Sequence, residues 1–146
     1  MRFSAVSTRL SAQGTVRTAN TFAEGDLPMP TRAPTQCILW NQPDTAFRRP
    51  LQESFERLRT FIHEDHWRRY VLACRECGQR YVYEFYEEVD WIGGEDAQRT
   101  TLIPVETEDE IETVSRTAPA KLVQFTPRLE RLFASDAESP TTEWIG

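Results

Sequence analysis

Residues 67–94, WRRYVLACRECGQRYVYEFYEEVDWIGG, constrain the fold more than any other stretch of the chain. Tyr70, Leu72 and Cys74 alternate with Arg69, Val71 and Ala73, and Tyr81, Tyr83 and Phe85 alternate with Val82, Glu84 and Tyr86. Alternation puts successive side chains on opposite faces of an extended chain, and aromatic and β-branched residues suit a half-buried pleated surface. Both runs are therefore expected as strands. Between them lies Cys74-Arg75-Glu76-Cys77-Gly78. A C-x2-C followed by Gly is a knuckle shape: two thiolates converge on one metal, and Gly accepts the positive φ that folds the chain back. The expectation is strand, knuckle, strand.

A tetrahedral site needs four ligands, and the chain has no second C-x2-C. His63 and His66 precede the knuckle as H-x2-H-x7-C-x2-C and would complete a zinc set of Cys74, Cys77, His66 and His63. The plainer reading makes the histidines polar residues at a helix end and the knuckle a metal-free turn. Cys37 reads as a small buried hydrophobe rather than a ligand, since free cysteine is among the most buried residue types. Dithiol redox chemistry fits less well. A strand follows Cys77, where a helix N-terminus would be needed to lower the thiol pKa.

The chain of 146 residues, 39% of them hydrophobic, suits one domain with a modest core. Three cysteines are too few for a secreted disulfide framework, which points to the cytoplasm. No apolar run is long enough to span a membrane. Up to residue 50 six arginines face three acids, whereas the remainder carries eleven basic and twenty acidic residues. Nucleic-acid binders usually present a basic face, so a negative folded part makes nucleic acid an unfavoured partner.

Residues 1–36 are rich in Ser, Thr, Ala, Gly and Pro and hold no apolar period, so a disordered or loosely attached tail is expected. Its early arginines resemble a transit peptide superficially; an over-extended gene start, with initiation at Met29, is the duller account. Residues 37–134 are expected as a single α+β domain, and 135–146 as a C-terminal tail in which Trp144 and Ile145 dock back. Pro50 followed by Leu51, Phe55, Leu58 and Ile62 on one stripe predicts an amphipathic helix ending near His63. Residues 91–94 read as a turn and 100–105 as a third strand, with Pro104 marking an edge. Thr107-Glu108-Asp109-Glu110 is a capping box opening a second helix. A third, short helix is expected over 127–133. The fold class is thus a small antiparallel sheet built on a knuckle-turn hairpin, flanked by two to three short helices.

No complete catalytic motif is present. Glu84, Glu88 and Asp90 are the only grouping that would serve a hydrolase, and no base or nucleophile is tied to them. Arg68, Arg69, Arg75 and Arg80, with Tyr81 or Tyr83 for stacking, would let a zinc-knuckle regulator touch nucleic acid. A binding module fits better. The run CRECGQRYVYEFYEEVDWIGG, with TTLIPVETEDEIE after it, resembles small bacterial single-knuckle proteins similar in size and acidity to the immunity proteins of polymorphic-toxin systems. That resemblance, over residues 50–125, implies a non-enzymatic inhibitor of a basic partner such as a toxin domain. Residues 84–112 contain eleven acids and one base, Arg99. The expected partner-binding set is Glu84, Tyr86, Glu87, Glu88, Asp90 and Trp91, with the aromatics as anchors inside an acidic patch. A solvated acidic face with no partner is the bland alternative.

Overall fold

The computed structural model describes residues 29–88, 97–134 and 138–146. In chain order its elements are β1 (Met29–Pro30), α1 (Ile38–Asn41), a 3-10 turn (Pro43–Phe47), α2 (Leu51–Ser54), β2 (Phe55–His63), β3 (Trp67–Cys74), β4 (Arg80–Glu88), β5 (Ala97–Val105), α3 (Glu108–Ser115), a second 3-10 turn (Pro119–Gln124), β6 (Phe125–Thr126), β7 (Arg128–Phe133) and β8 (Thr141–Ile145). Six strands form one antiparallel sheet in the order β8-β7-β5-β4-β3-β2, and β1 pairs parallel with β6. The class is α+β, as the alternation implied.

The β3–β4 hairpin is the centre of the sheet. Leu72 lies opposite Tyr81, Tyr70 opposite Tyr83 and Arg69 opposite Glu84. Because side chains alternate, the hairpin sends Tyr70, Leu72, Cys74, Tyr81 and Tyr83 to one face, where Leu102, Leu129, Leu39 and Phe55 complete a core. Val71 and Val82 go to the other face, against Ile103, Val105, Ile111, Val114, Leu122 and Phe125. Each face needs a cover. Residues 37–54 cover the first, and α3 with the second 3-10 turn covers the second.

The helix α3 starts as its sequence implied. Thr107 Oγ1 accepts from the Glu110 N–H at 3.1 Å, and Glu110 Oε1 accepts from the Thr107 N–H at 3.0 Å. Gly78 takes φ +81° at the knuckle, and its N–H reaches the Cys74 carbonyl at 2.8 Å.

Four expectations are corrected. Residues 51–63 are not one helix: after a single turn, Phe55–His63 runs as an edge strand against β3. Tertiary pairing overrides the helical stripe here, with Phe55 buried while Leu58 and Phe61 stay exposed. Register shifts at Arg57/Arg59 and Thr60/Ile62 break the edge and discourage pairing with other chains. Residues 128–133 form β7, not a helix, bridging β5 and β8. Pro104 lies on an interior strand, yet β7 stops opposite Leu102, so Pro104 has a strand neighbour on the β4 side alone. The fold also begins before residue 37, while at the other end Trp144 and Ile145 dock back as expected. Thr31 donates to the Thr126 carbonyl at 2.7 Å, and Trp144 on β8 donates from Nε1 to the Leu39 carbonyl at 2.7 Å. The turn expected at 91–94 and most of the expected tail, residues 1–28, lie outside the described residues.

Candidate metal centre

Three thiols meet at the knuckle end of the hairpin. The sulfurs of Cys37, Cys74 and Cys77 all lie within 4.8 Å of one another. Cys74 ends β3 and faces the first core. Cys77 follows in the turn and is exposed. Cys37 comes from the covering segment, where its backbone begins α1 and its own N–H is held by the Pro34 carbonyl at 2.9 Å. Gln79 fixes the neighbouring chain: it is buried, accepts from Gln36 Nε2 at 2.7 Å, and donates to the Arg80 carbonyl at 2.9 Å. The three cysteines are free, and they are close enough to hold a metal ion.

Burial pushes the Cys37 thiol up to about 12, so without a cation this sulfur keeps its proton. A bound metal reverses that preference, because a coordinating thiol is deprotonated outright. Tyr81 carries a second sign of an electron-rich centre. The residue is fully buried on the same face, its titration is raised by burial and by the adjoining Cys37, and its hydroxyl approaches the Cys37 thiol without forming a hydrogen bond of good geometry. A buried O–H without a partner costs about 1–3 kcal/mol. Neutral thiols are weak acceptors, whereas metal-bound thiolates would give this O–H a strong one.

The structure does not bring His63 and His66 to the cysteines. Phe55 pairs with Cys74 at one end of the β2–β3 ladder, and His63 pairs with Arg68 at the other. The nine-residue strand that replaces the expected helix carries the histidines away. His63 Nδ1 instead bonds the Tyr70 hydroxyl at 2.6 Å, and His66 Nδ1 meets Glu87 Oε1 at 2.6 Å. Cys37, expected as a simple core residue, is the third thiol of the cluster. The alternation did contain a signal for Tyr81: it sits opposite Leu72, on the face that Cys74 shares.

The expected partner-binding residues are divided between core and surface. Glu84 is 3% exposed and Arg69 1% exposed; the pair lies buried between strand and helix. Glu84 Oε2 accepts from Arg69 Nε at 2.8 Å, from Arg69 Nη2 and from Trp67 Nε1 at 2.8 Å. Arg69 Nη1 also donates to the carbonyls of Ser115 at 2.9 Å and Thr117 at 2.6 Å, closing the end of α3. Glu84 is thus a buried ion-pair partner of Arg69 and not an exposed member of the acidic patch, while it borders the groove that Glu88 also lines. Glu87 is held below the usual carboxylate range by hydrogen bonds from Gln98 and His66. Glu88 and Tyr86 are exposed. Asp90 and Trp91 lie outside the described residues.

Much of the remaining acidic run is paired. Arg59 holds Glu108 through Nη2 at 2.6 Å, Arg32 approaches Glu106 at 3.7 Å, and Arg116 pairs with Glu112. Among the described residues no helix is long and apolar enough to cross a membrane. Comparison with known proteins finds no matching family model, no matching curated protein and no matching solved structure.

Proposed function

We propose that this protein is a small zinc-binding module that acts by binding a partner rather than by catalysis, with Cys37, Cys74 and Cys77 as the zinc ligands. The convergence of three thiols from two separate segments supports the zinc part of this reading. Zinc favours sulfur donors and tetrahedral coordination, and exposed Cys77 leaves one side of the site open to water as a fourth ligand. The metal would supply cross-linking, tying the covering segment at Cys37 to the hairpin, and would turn the thiols into acceptors for Tyr81. Purified full-length protein is expected to carry about one zinc per chain by elemental analysis. Cys37→Ser is expected to lose that zinc and lower the melting temperature, while His63→Ala with His66→Ala keeps it. Full zinc occupancy in Cys37→Ser would refute the ligand set.

A basic protein partner is the second part of the reading. Tyr86 and Leu132 are exposed at 38% and 37%, and both line a groove of about 360 Å³ with Glu88, Ala118 and Pro119. An exposed aromatic beside a free carboxylate is suited to anchoring a cationic surface. Arg99 also lines the groove, so its charge is mixed. In the immunity-protein reading the partner is a toxin domain encoded by a neighbouring gene. Co-expression with that product should restore growth and yield a complex, and both should be lost in Tyr86→Ala with Glu88→Lys. A complex indifferent to those substitutions would place the interface elsewhere.

A further inference from the structure

The first face of the sheet carries a second concavity, which neither the zinc reading nor the partner groove uses. It is a cavity of about 300 Å³ between the strands and the covering segment, lined in part by Arg49, Arg68, Arg131, Phe47, Tyr83 and Phe85. Among the described residues no carboxylate lines it. In a chain of net charge −6, three guanidinium groups converge on one hollow.

Arg32, Arg59, Arg69, Arg80, Arg116 and Arg128 each pair with a carboxylate. Among the described residues Arg49, Arg68 and Arg131 form no ion pair, in common with Arg48, Arg57, Arg75 and Arg99, but these three share a hollow that no described carboxylate lines. Arg68 donates one hydrogen bond, from Nη2 to the Asp65 carbonyl at 3.3 Å. Two of the three lie over aromatic walls: the Arg68 guanidinium is 5.0 Å from the centre of the Phe85 ring, and that of Arg131 is 5.0 Å from the centre of the Phe47 ring. A stacked guanidinium keeps its planar N–H fork available at its edge, and that fork matches the oxygens of a phosphate. Like charges gathered together repel one another; Glu87, whose carboxylate feels the charge of Arg68, offsets part of this, and an anion entering the hollow offsets more.

We propose that this cavity binds a phosphate monoester attached to a flat aromatic body, the chemistry of a nucleoside monophosphate. Three guanidiniums suit a dianionic phosphate better than a single carboxylate. Phe133, which lines the hollow and is 38% exposed, offers apolar surface for a base beside the arginine-covered rings of Phe47 and Phe85. The volume lies at the small end of ligand pockets, about 300–1,000 Å³, which suits the phosphate and base of one nucleotide. The site takes residues from four strands and from the covering segment, so it is built by the tertiary fold. It does not depend on the zinc or toxin-partner readings.

The test is calorimetric titration of the full-length protein with adenosine 5′-monophosphate, adenosine, inorganic phosphate and benzoate. The monophosphate is expected to bind at least ten-fold more tightly than adenosine or benzoate, with inorganic phosphate weaker again. Arg68→Gln and Arg131→Gln should each lose at least ten-fold, whereas Arg116→Gln, whose partner is Glu112 on α3, should bind as the parent does. A 5′-phosphorylated oligonucleotide separates the sources: a free nucleotide site excludes it, and equal binding makes the ligand a nucleic-acid end. Adenosine or benzoate binding as tightly as the monophosphate overturns the proposal, and so does unchanged affinity in a folded Arg131→Gln. The ligand series on the parent protein decides the matter even where a variant fails to fold.

Discussion

Glu84→Ala should cost this protein a large share of its stability. The substitution removes one oxygen that accepts from Arg69 Nε at 2.8 Å, from Arg69 Nη2 and from Trp67 Nε1 at 2.8 Å. Arg69 is 1% exposed, so water cannot take over the lost partner. Removing one member of a buried ion pair costs about 3–5 kcal/mol, because the other charge remains buried. The Ser115 and Thr117 carbonyls still hold Nη1, which places the expected loss near the lower bound, about 3 kcal/mol. Set against a total of about 5–15 kcal/mol, that is a fifth or more of the fold's stability. For a chain of this size the melting temperature should fall by about 10 °C. Urea unfolding followed by circular dichroism measures the loss directly. The double variant Arg69→Met, Glu84→Leu should recover only part of it: the uncompensated buried charge is gone, but Trp67 Nε1 and the Ser115 and Thr117 carbonyls lose their partners. A Glu84→Ala protein within about 0.5 kcal/mol of the parent would refute the reasoning and return Glu84 to the solvated surface.

Three further outcomes follow from local geometry. Thr107→Ala removes the acceptor for the Glu110 N–H and should cost about 1 kcal/mol in urea unfolding; no change would mean the capping box is idle. Gly78→Ala meets no atom within 4 Å, so its cost is that of the φ of +81° alone, about 1–2 kcal/mol, with Gly78→Asn losing less; equal stability of all three would refute the turn. Burial pushes the Tyr83 phenol from 10.0 up to about 12, so the folded chain holds this proton more tightly than the unfolded chain does. Its contribution is complete below pH 10.0 and is lost as pH rises to about 12. The tyrosinate absorbance missing from Tyr83→Phe should therefore appear near the upper value, and its appearance near pH 10 would contradict the burial.

Local order was legible where the determining interactions are local. The hairpin alternation, the positive φ at Gly78 and the Thr107–Glu110 box each depend on residues a few positions apart, and each forms as the sequence implies. Sequence alone also placed Cys74 and Cys77 in one turn. What it could not decide was anything requiring a distant partner. Phe55–His63 carries a helical stripe and became a strand because β3 offers an open edge. Arg128–Phe133 became a strand because β5 and β8 flank it. Glu84 reads as one more member of an acidic run, and only its register opposite Arg69 makes it a core residue. The third thiol was hidden for the same reason. Cys37 lies 37 positions before Cys74, and only the packing of the covering segment on the sheet closes that separation to within 4.8 Å. Spacing along the chain made His63 and His66 the nearer candidates; a strand's rise of about 3.3 Å per residue carried them away, while chain reversal brought Cys37 in.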